Sequence, residues 1–178
     1  MLRRKATPFA KERTKGSAMV VFTHTLPVND PSLPEYPEVR RDELWESLVH
    51  KAAHPVSYVP SITSAELLEE FDGGFVRRIM LRGDSTMPLR ERVTLEQSSR
   101  IVFTQLDNPL LTEITNEIGE DAEGRLTFTF TATLSAAGLE RSRREAGFVA
   151  ENDLLFYDTA AATVNTVRLT AGRTVAPA

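Results

Sequence analysis

The stretch Leu126–Leu134 alternates without a break. Leu126, Phe128, Phe130, Ala132 and Leu134 share one face, and Thr127, Thr129, Thr131 and Thr133 share the other. A period of two marks a strand with one buried and one solvated face, and β-branched threonine suits the solvated side. From Arg141 to Leu169 the pattern changes: there is no proline, Gly147 is the sole glycine, and apolar residues recur at helical spacing. This predicts one long helix directly after the strand. An antiparallel sheet with one apolar face and a helix to cover it is the architecture such a pair demands.

The chain has 178 residues, enough for one domain that buries roughly 70% of its unfolded surface. No apolar run approaches the roughly 20 residues of a membrane-spanning helix. Cysteine is absent, which excludes disulfides, thiolate zinc sites, thiol nucleophiles and iron–sulfur clusters. The net charge of −4 is unevenly spread. Residues 1–17 carry Arg3, Arg4, Lys5, Lys11, Arg13 and Lys15 against Glu12, so this arm is +5 and the remainder −9. A basic arm of this kind is read as a disordered extension, with nucleic-acid or lipid binding or organelle targeting as alternatives. No apolar segment follows it, so it does not read as a secretory signal. The expected organisation is a basic tail over 1–18, one domain over 19–170 and a flexible end over 171–178.

Met19 to Val28 predicts a first strand with Val20, Phe22, His24 and Leu26 on one face. Four prolines in the eleven residues from Pro27 to Pro37 forbid regular structure and predict an extended loop. Arg40 to His54 predicts a helix, with Asp42 as its N-cap, Pro55 as its stop and a stripe of Leu44, Trp45, Leu48, Val49 and Ala52. Pro55 to Pro60 reads as a one-turn element. Strands are then predicted over Ile62–Phe71, Phe75–Arg82, Leu89–Glu96, Ile101–Leu106 and Leu111–Glu120. They are joined by turns such as Asp72-Gly73-Gly74 and lead into Leu126–Leu134. Loops this short imply a meander and an antiparallel sheet. A single straight helix cannot cover seven flat strands, so the sheet is expected to curl around the last helix. A space between them would be a ligand cavity.

This order resembles the helix-grip fold of START lipid-transfer domains, birch-pollen-allergen-like proteins and polyketide aromatase/cyclases. Particular runs resemble, more narrowly, the family named after protein L of the acetylaranotin biosynthesis cluster. They are His24-Thr-Leu-Pro-Val28-Asn-Asp30; Leu44-Trp45, Leu48-Val49, Lys51-Ala52 and His54-Pro55; and Tyr58-Val59-Pro60-Ser-Ile62-Thr63. Phe75 with Arg77, Leu81-Arg82-Gly83, Arg90-Glu91-Arg92-Val93-Thr94 and Asn116-Glu117-Ile118 extend the likeness over about residues 19–169. His50 stands where an aliphatic residue is expected, and the last helix, with Asp153 and Asp158, is more polar than usual. The resemblance implies an α+β helix-grip (START-like) fold: a curved seven-stranded antiparallel sheet wrapped around a long C-terminal helix, with a short helical pair after the first strand. It carries over no catalytic residue, and it implies a small-molecule role in secondary metabolism by association only.

Strand parity places polar groups on the inward face. Arg77 falls with Phe75 and Ile79, Glu91 with Val93, Asn116 between Ile114 and Ile118, and His24 between Phe22 and Leu26. Burial of a charge is costly unless it is paired, so an Arg77–Glu91 pair across adjacent strands is expected. It has two readings: an internal salt bridge that fixes register, or a polar cluster that orients a ligand, with Glu91 or His24 as proton carrier where burial shifts its pKa. The expected ligand-contacting set is His24, Arg77, Glu91, Asn116, Phe128, Phe130, Phe148 and Leu155. Phe156 and Tyr157 are expected in the core.

His50 and His54 have metal-ligand spacing with Glu46 nearby. They lack a firm third ligand and read as a solvated helix face, so no metal and no cofactor is expected. Arg141, Arg143 and Arg144 at the head of a helix would oppose its dipole. They read as an exposed turn before its true start, with anion binding the alternative. The expected partner is an apolar or aromatic small molecule; no nucleic acid is expected, the oligomeric state is open, and the expected location is the cytoplasm. A cyclase, aromatase or dehydratase-like enzyme on the same fold, and a protein-interaction module with a filled cavity, are the alternatives.

Overall fold

The computed structural model describes residues 21–83 and 87–171, so the basic arm and the segment after Ala171 lie outside the described residues. Seven strands, β1 (Val21–Pro27), β2 (Ile62–Phe71), β3 (Gly74–Leu81), β4 (Leu89–Glu96), β5 (Arg100–Gln105), β6 (Leu111–Glu120) and β7 (Leu126–Leu134), form one sheet. Their order is β1-β7-β6-β5-β4-β3-β2, and every neighbouring pair is antiparallel. Helix α1 (Arg41–Ala53) and a single 3-10 turn (Pro55–Ser57) follow β1, and α2 (Ala136–Arg144) and α3 (Phe148–Thr170) follow β7.

Alternation decides the inner face, and register turns it into rows. Phe75, Val93, Phe103, Ile114, Ala132 and Phe22 stand opposite one another in turn across β3, β4, β5, β6, β7 and β1. These apolar side chains form the core with Leu44, Trp45 and Leu48 of α1 and with Phe148, Phe156, Ala160, Val164 and Val167 of α3. Helix α3 lies over β1 and β7, and α1 over β5 and β6. This is the helix-grip arrangement that the resemblance implied.

The predicted helix over 141–169 is in fact two. Ser135 caps α2, its Oγ accepting from the Gly138 N–H at 3.0 Å. Gly147, at φ 89°, then turns the chain into α3. A positive φ is strained for any residue with a Cβ, which is why the lone glycine marks the break. Arg141, Arg143 and Arg144 consequently sit in the last turn of α2, where the dipole favours cations. Arg141 pairs with Glu145 at 2.8 Å and Arg144 with Glu140 at 2.7 Å.

Asp42 is not the N-cap of α1. Arg40 holds that position, and its N–H donates to the Glu43 carboxylate at 2.8 Å. Two acids in the first turn satisfy the helix end without an Asx cap. The proline-rich segment is closed by Asn29, whose side chain donates to the Val39 carbonyl at 2.9 Å and accepts from the Val39 N–H at 2.7 Å. The end of α3 is tied to the same region, because Arg168 donates to the Pro27 and Val28 carbonyls at 2.9 and 2.8 Å. Thr127 departs from its wet face and is buried, opposite Gly119, which presents no side chain to it.

Gly74 opens β3 where a Cβ would press into the Val93 carbonyl oxygen. Gly74→Ala is therefore expected to cost about 1–3 kcal/mol through overpacking against backbone. Urea unfolding with an unchanged slope and a lower midpoint would show it, and an unshifted midpoint would contradict the close approach.

Candidate functional site

The inner face carries polar groups in two rows, one on either side of the apolar row through Val93, Phe103 and Ile114. Arg77 stands opposite Glu91, and Glu91 opposite Gln105. The guanidinium donates from Nε and Nη2 to Glu91 Oε2 at 2.7 and 2.6 Å. A third bond runs from Arg77 Nη1 to the Ala52 carbonyl at 2.5 Å, at the end of α1. Gln105 Nε2 donates to Glu91 Oε1 at 2.8 Å. Both carboxylate oxygens are thus occupied, and Arg77 and Glu91 are each 5% exposed or less. The predicted pair is therefore present. It also fastens α1 to the sheet.

In the second row Ile101 stands opposite Asn116, Asn116 opposite Phe130, and Phe130 opposite His24. Asn116 is buried, and its Oδ1 accepts from Lys51 Nζ on α1 at 2.5 Å. Asn116 Nδ2 has no hydrogen-bond partner among the described residues. His24 Nε2 is also buried without a hydrogen bond; Asp153 Oδ1 on α3 lies 3.0 Å away, close enough to attract but out of line for an N–H bond. The His24 ring meets Tyr157 edge-on at 5.6 Å between centroids.

Lys51 was not among the predicted residues, although it lies one turn beyond Leu48 on the stripe that faces the sheet. Gln105 was also missed, although parity with Ile101 and Phe103 places it inward. Burial pushes the Lys51 amine down to about 7; the Arg77 charge adds to this and Glu91 opposes it. The Phe103 ring lies beneath both cations, 4.7 Å from Arg77 Cζ and 5.5 Å from Lys51 Nζ. At pH 7 this amine is poised between its two protonation states, so it can take up or release a proton.

Phe128, Phe130 and Phe148 are buried. Phe156 stacks on Phe130 at 5.6 Å and meets Phe22 at 5.2 Å, which packs α3 on β1 and β7. Leu155, expected on that inner surface, is instead 48% exposed, as is Tyr157 at 45%. The buried stripe of α3 runs Phe148, Phe156, Ala160, Thr163, Val164 and Val167, and the helical period places Leu155 on its flank. A cavity of about 620 Å³ lies between the proline-rich segment, the β6–β7 turn and Arg168, away from all the predicted ligand contacts. A smaller one of about 310 Å³ opens between the end of α1 and β2, lined by Ala53, His54, Val56 and Ala65. His50 Nδ1 lies 3.2 Å from the Tyr58 hydroxyl, and among the described residues no three His, Asp or Glu side chains converge as a metal site.

A family model described as acetylaranotin biosynthesis cluster protein L matches residues 22–172. The chain belongs to this family. Solved structures share the fold of this protein L-like chain. The Zhui aromatase/cyclase from Streptomyces sp. R1128 is 22% identical over 89% of this chain and 96% of its own, with a TM-score of 0.56. The di-domain aromatase/cyclase BexL of the BE-7585A biosynthetic pathway is 21% identical over 90% of this chain and 52% of its own, with a TM-score of 0.57. Ara h 8.0201 is 14% identical over 84% of this chain and 98% of its own, with a TM-score of 0.51. At these identities the likeness establishes a helix-grip fold. No curated protein matches the chain in sequence. Among the described residues no helix is long and apolar enough to cross a membrane.

Proposed function

We propose that this protein L-like chain binds an apolar or aromatic small molecule between the sheet and the helices laid across it. The observation that carries the reading is the row His24–Phe130–Asn116, in which a buried polar atom without a hydrogen bond stands on either side of an aromatic ring. An unmet buried polar group costs about 1–3 kcal/mol. A ligand that supplies an oxygen on each side of a planar ring system would remove that cost on binding. The names of the structural relatives, polyketide aromatase/cyclases among them, support a ligand of this class. The poised amine of Lys51 supports an extension to proton-transfer chemistry on a bound carbonyl compound. A different reading, an interaction module, is favoured by Leu154 and Tyr157, which stand three apart on one exposed flank of α3.

Native mass spectrometry of the chain purified from its own host, followed by denaturing extraction, tests the proposal. The expected result is a reproducible added mass that extraction releases as an aromatic or apolar compound. A bare chain whose melting temperature also fails to respond to a panel of planar aromatic compounds would overturn it in favour of the interaction module.

A further inference from the structure

We infer that Lys51 and Asn116 together form an anchor for an acidic oxygen, a phenol or an enolised 1,3-dicarbonyl, carried by a planar ligand. The inference rests on the small-molecule reading above and names the chemistry of its ligand. Lys51 Nζ is buried in the core and, among the described residues, makes a single hydrogen bond, to Asn116 Oδ1. Among the described residues no carboxylate pairs with it: both oxygens of Glu91, the buried acid of the cluster, are held by Arg77 and Gln105. Asn116 Nδ2 is unpartnered beside it. Rotating the amide does not help, because it would turn the oxygen away from Lys51 and leave that atom unpaired instead. The two side chains therefore present spare N–H groups in one place, the geometry that stabilises a developing oxyanion.

The walls select the rest of the ligand. Phe103 lies under Lys51, and Phe130 is the cross-strand neighbour of Asn116. Two aromatic rings beside a donor pair accept a flat aromatic or conjugated body. Leu67 stands opposite Arg77 at the end of the first polar row and is 46% exposed; the smaller cavity opens beside it at Ala65 and Ala53.

The proton inventory favours a phenol or enol over a carboxylate. An amine held near pH 7 can take the proton of a weak acid as that acid docks: the O–H bond breaks, an N–H bond forms on Lys51, and an ammonium–oxyanion pair results with no net charge carried in. A carboxylate arrives already ionised and must lose its hydration before the amine can neutralise it.

The test compares 2-naphthol, 2-methylnaphthalene and 2-naphthoate, which differ only in the group presented to the anchor. With the full chain, 2-naphthol is expected to bind at least about tenfold more tightly than 2-methylnaphthalene, with the naphtholate absorption band appearing in the complex at pH 7. In Lys51→Met the preference and the band are expected to vanish while 2-methylnaphthalene still binds. Equal binding of naphthol and methylnaphthalene to the wild-type chain would overturn the anchor and leave the small-molecule reading standing, and so would a preference for naphthoate. Failure of all three probes to bind would overturn both.

Discussion

Glu91→Ala is expected to destabilise the protein by about 3–5 kcal/mol, because it leaves a buried guanidinium charged and unpaired. Arg77 would retain the Ala52 carbonyl and the face of Phe103, neither of which supplies a countercharge. The effect belongs to the broken pair rather than to its net worth. Replacing both partners by apolar residues of similar volume, Arg77→Met with Glu91→Leu, is expected to leave stability within about 1 kcal/mol of wild type or above it. Chemical unfolding of the single and double variants measures both. A single variant that unfolds at the wild-type midpoint would show that Arg77 reaches water once Glu91 is gone.

Lys51→Met is expected to act in the opposite direction. The amine has an ordinary pKa of 10.5 and is held at about 7 in the fold. Keeping it neutral at pH 7 costs about 5 kcal/mol. Methionine removes that cost but orphans Asn116 Oδ1, at about 1–3 kcal/mol, for a net gain of about 2–4 kcal/mol. The sign with pH follows from proton counts. Between about pH 7 and 10 the unfolded lysine carries a proton that the folded one lacks, so wild-type stability rises with pH by about 1.4 kcal/mol per unit from this group. The contribution is complete above the unfolded pKa and is lost as pH falls toward the folded one. The other titrating groups are common to both proteins. The stabilisation by Lys51→Met is therefore expected to be largest at pH 7 or below and gone by pH 10. A difference that does not change with pH would place the amine in contact with solvent.

Period-two alternation made most of the sheet legible, and the strands Ile62–Phe71, Leu89–Glu96, Leu111–Glu120 and Leu126–Leu134 have the predicted bounds. Parity also placed Arg77, Glu91 and Asn116 inward, because a strand has only two faces and its apolar neighbours mark one of them. Helices were harder. A lysine on the edge of an apolar stripe ordinarily reaches out to water along its four-carbon stem, so nothing in the sequence marks Lys51 as inward; its bond to Asn116 on β6 shows that it is. Leu155 shows the converse, since apolar character did not reveal its angle around α3. The break at Gly147 rests on one backbone angle, and a single glycine in a helical pattern is as often tolerated as obeyed. The unmet atoms of His24 and Asn116 depend on distances across strands far apart in sequence, and no local pattern encodes them.

The strand order has a consequence in time. Every pairing from β2 to β7 joins strands consecutive in sequence, so each can zip as soon as its hairpin is made. The exception is β1, whose Thr25 meets Thr129 across 104 residues. At a synthesis rate of about 5–20 residues per second, that separation amounts to about 5–20 s in which β1 has been made and its partner has not. During that interval Phe22, His24 and Leu26 have no sheet to join. Strand β1, made before the six others, thus completes the sheet last, and the His24–Phe130–Asn116 row comes into being only with that closing pairing.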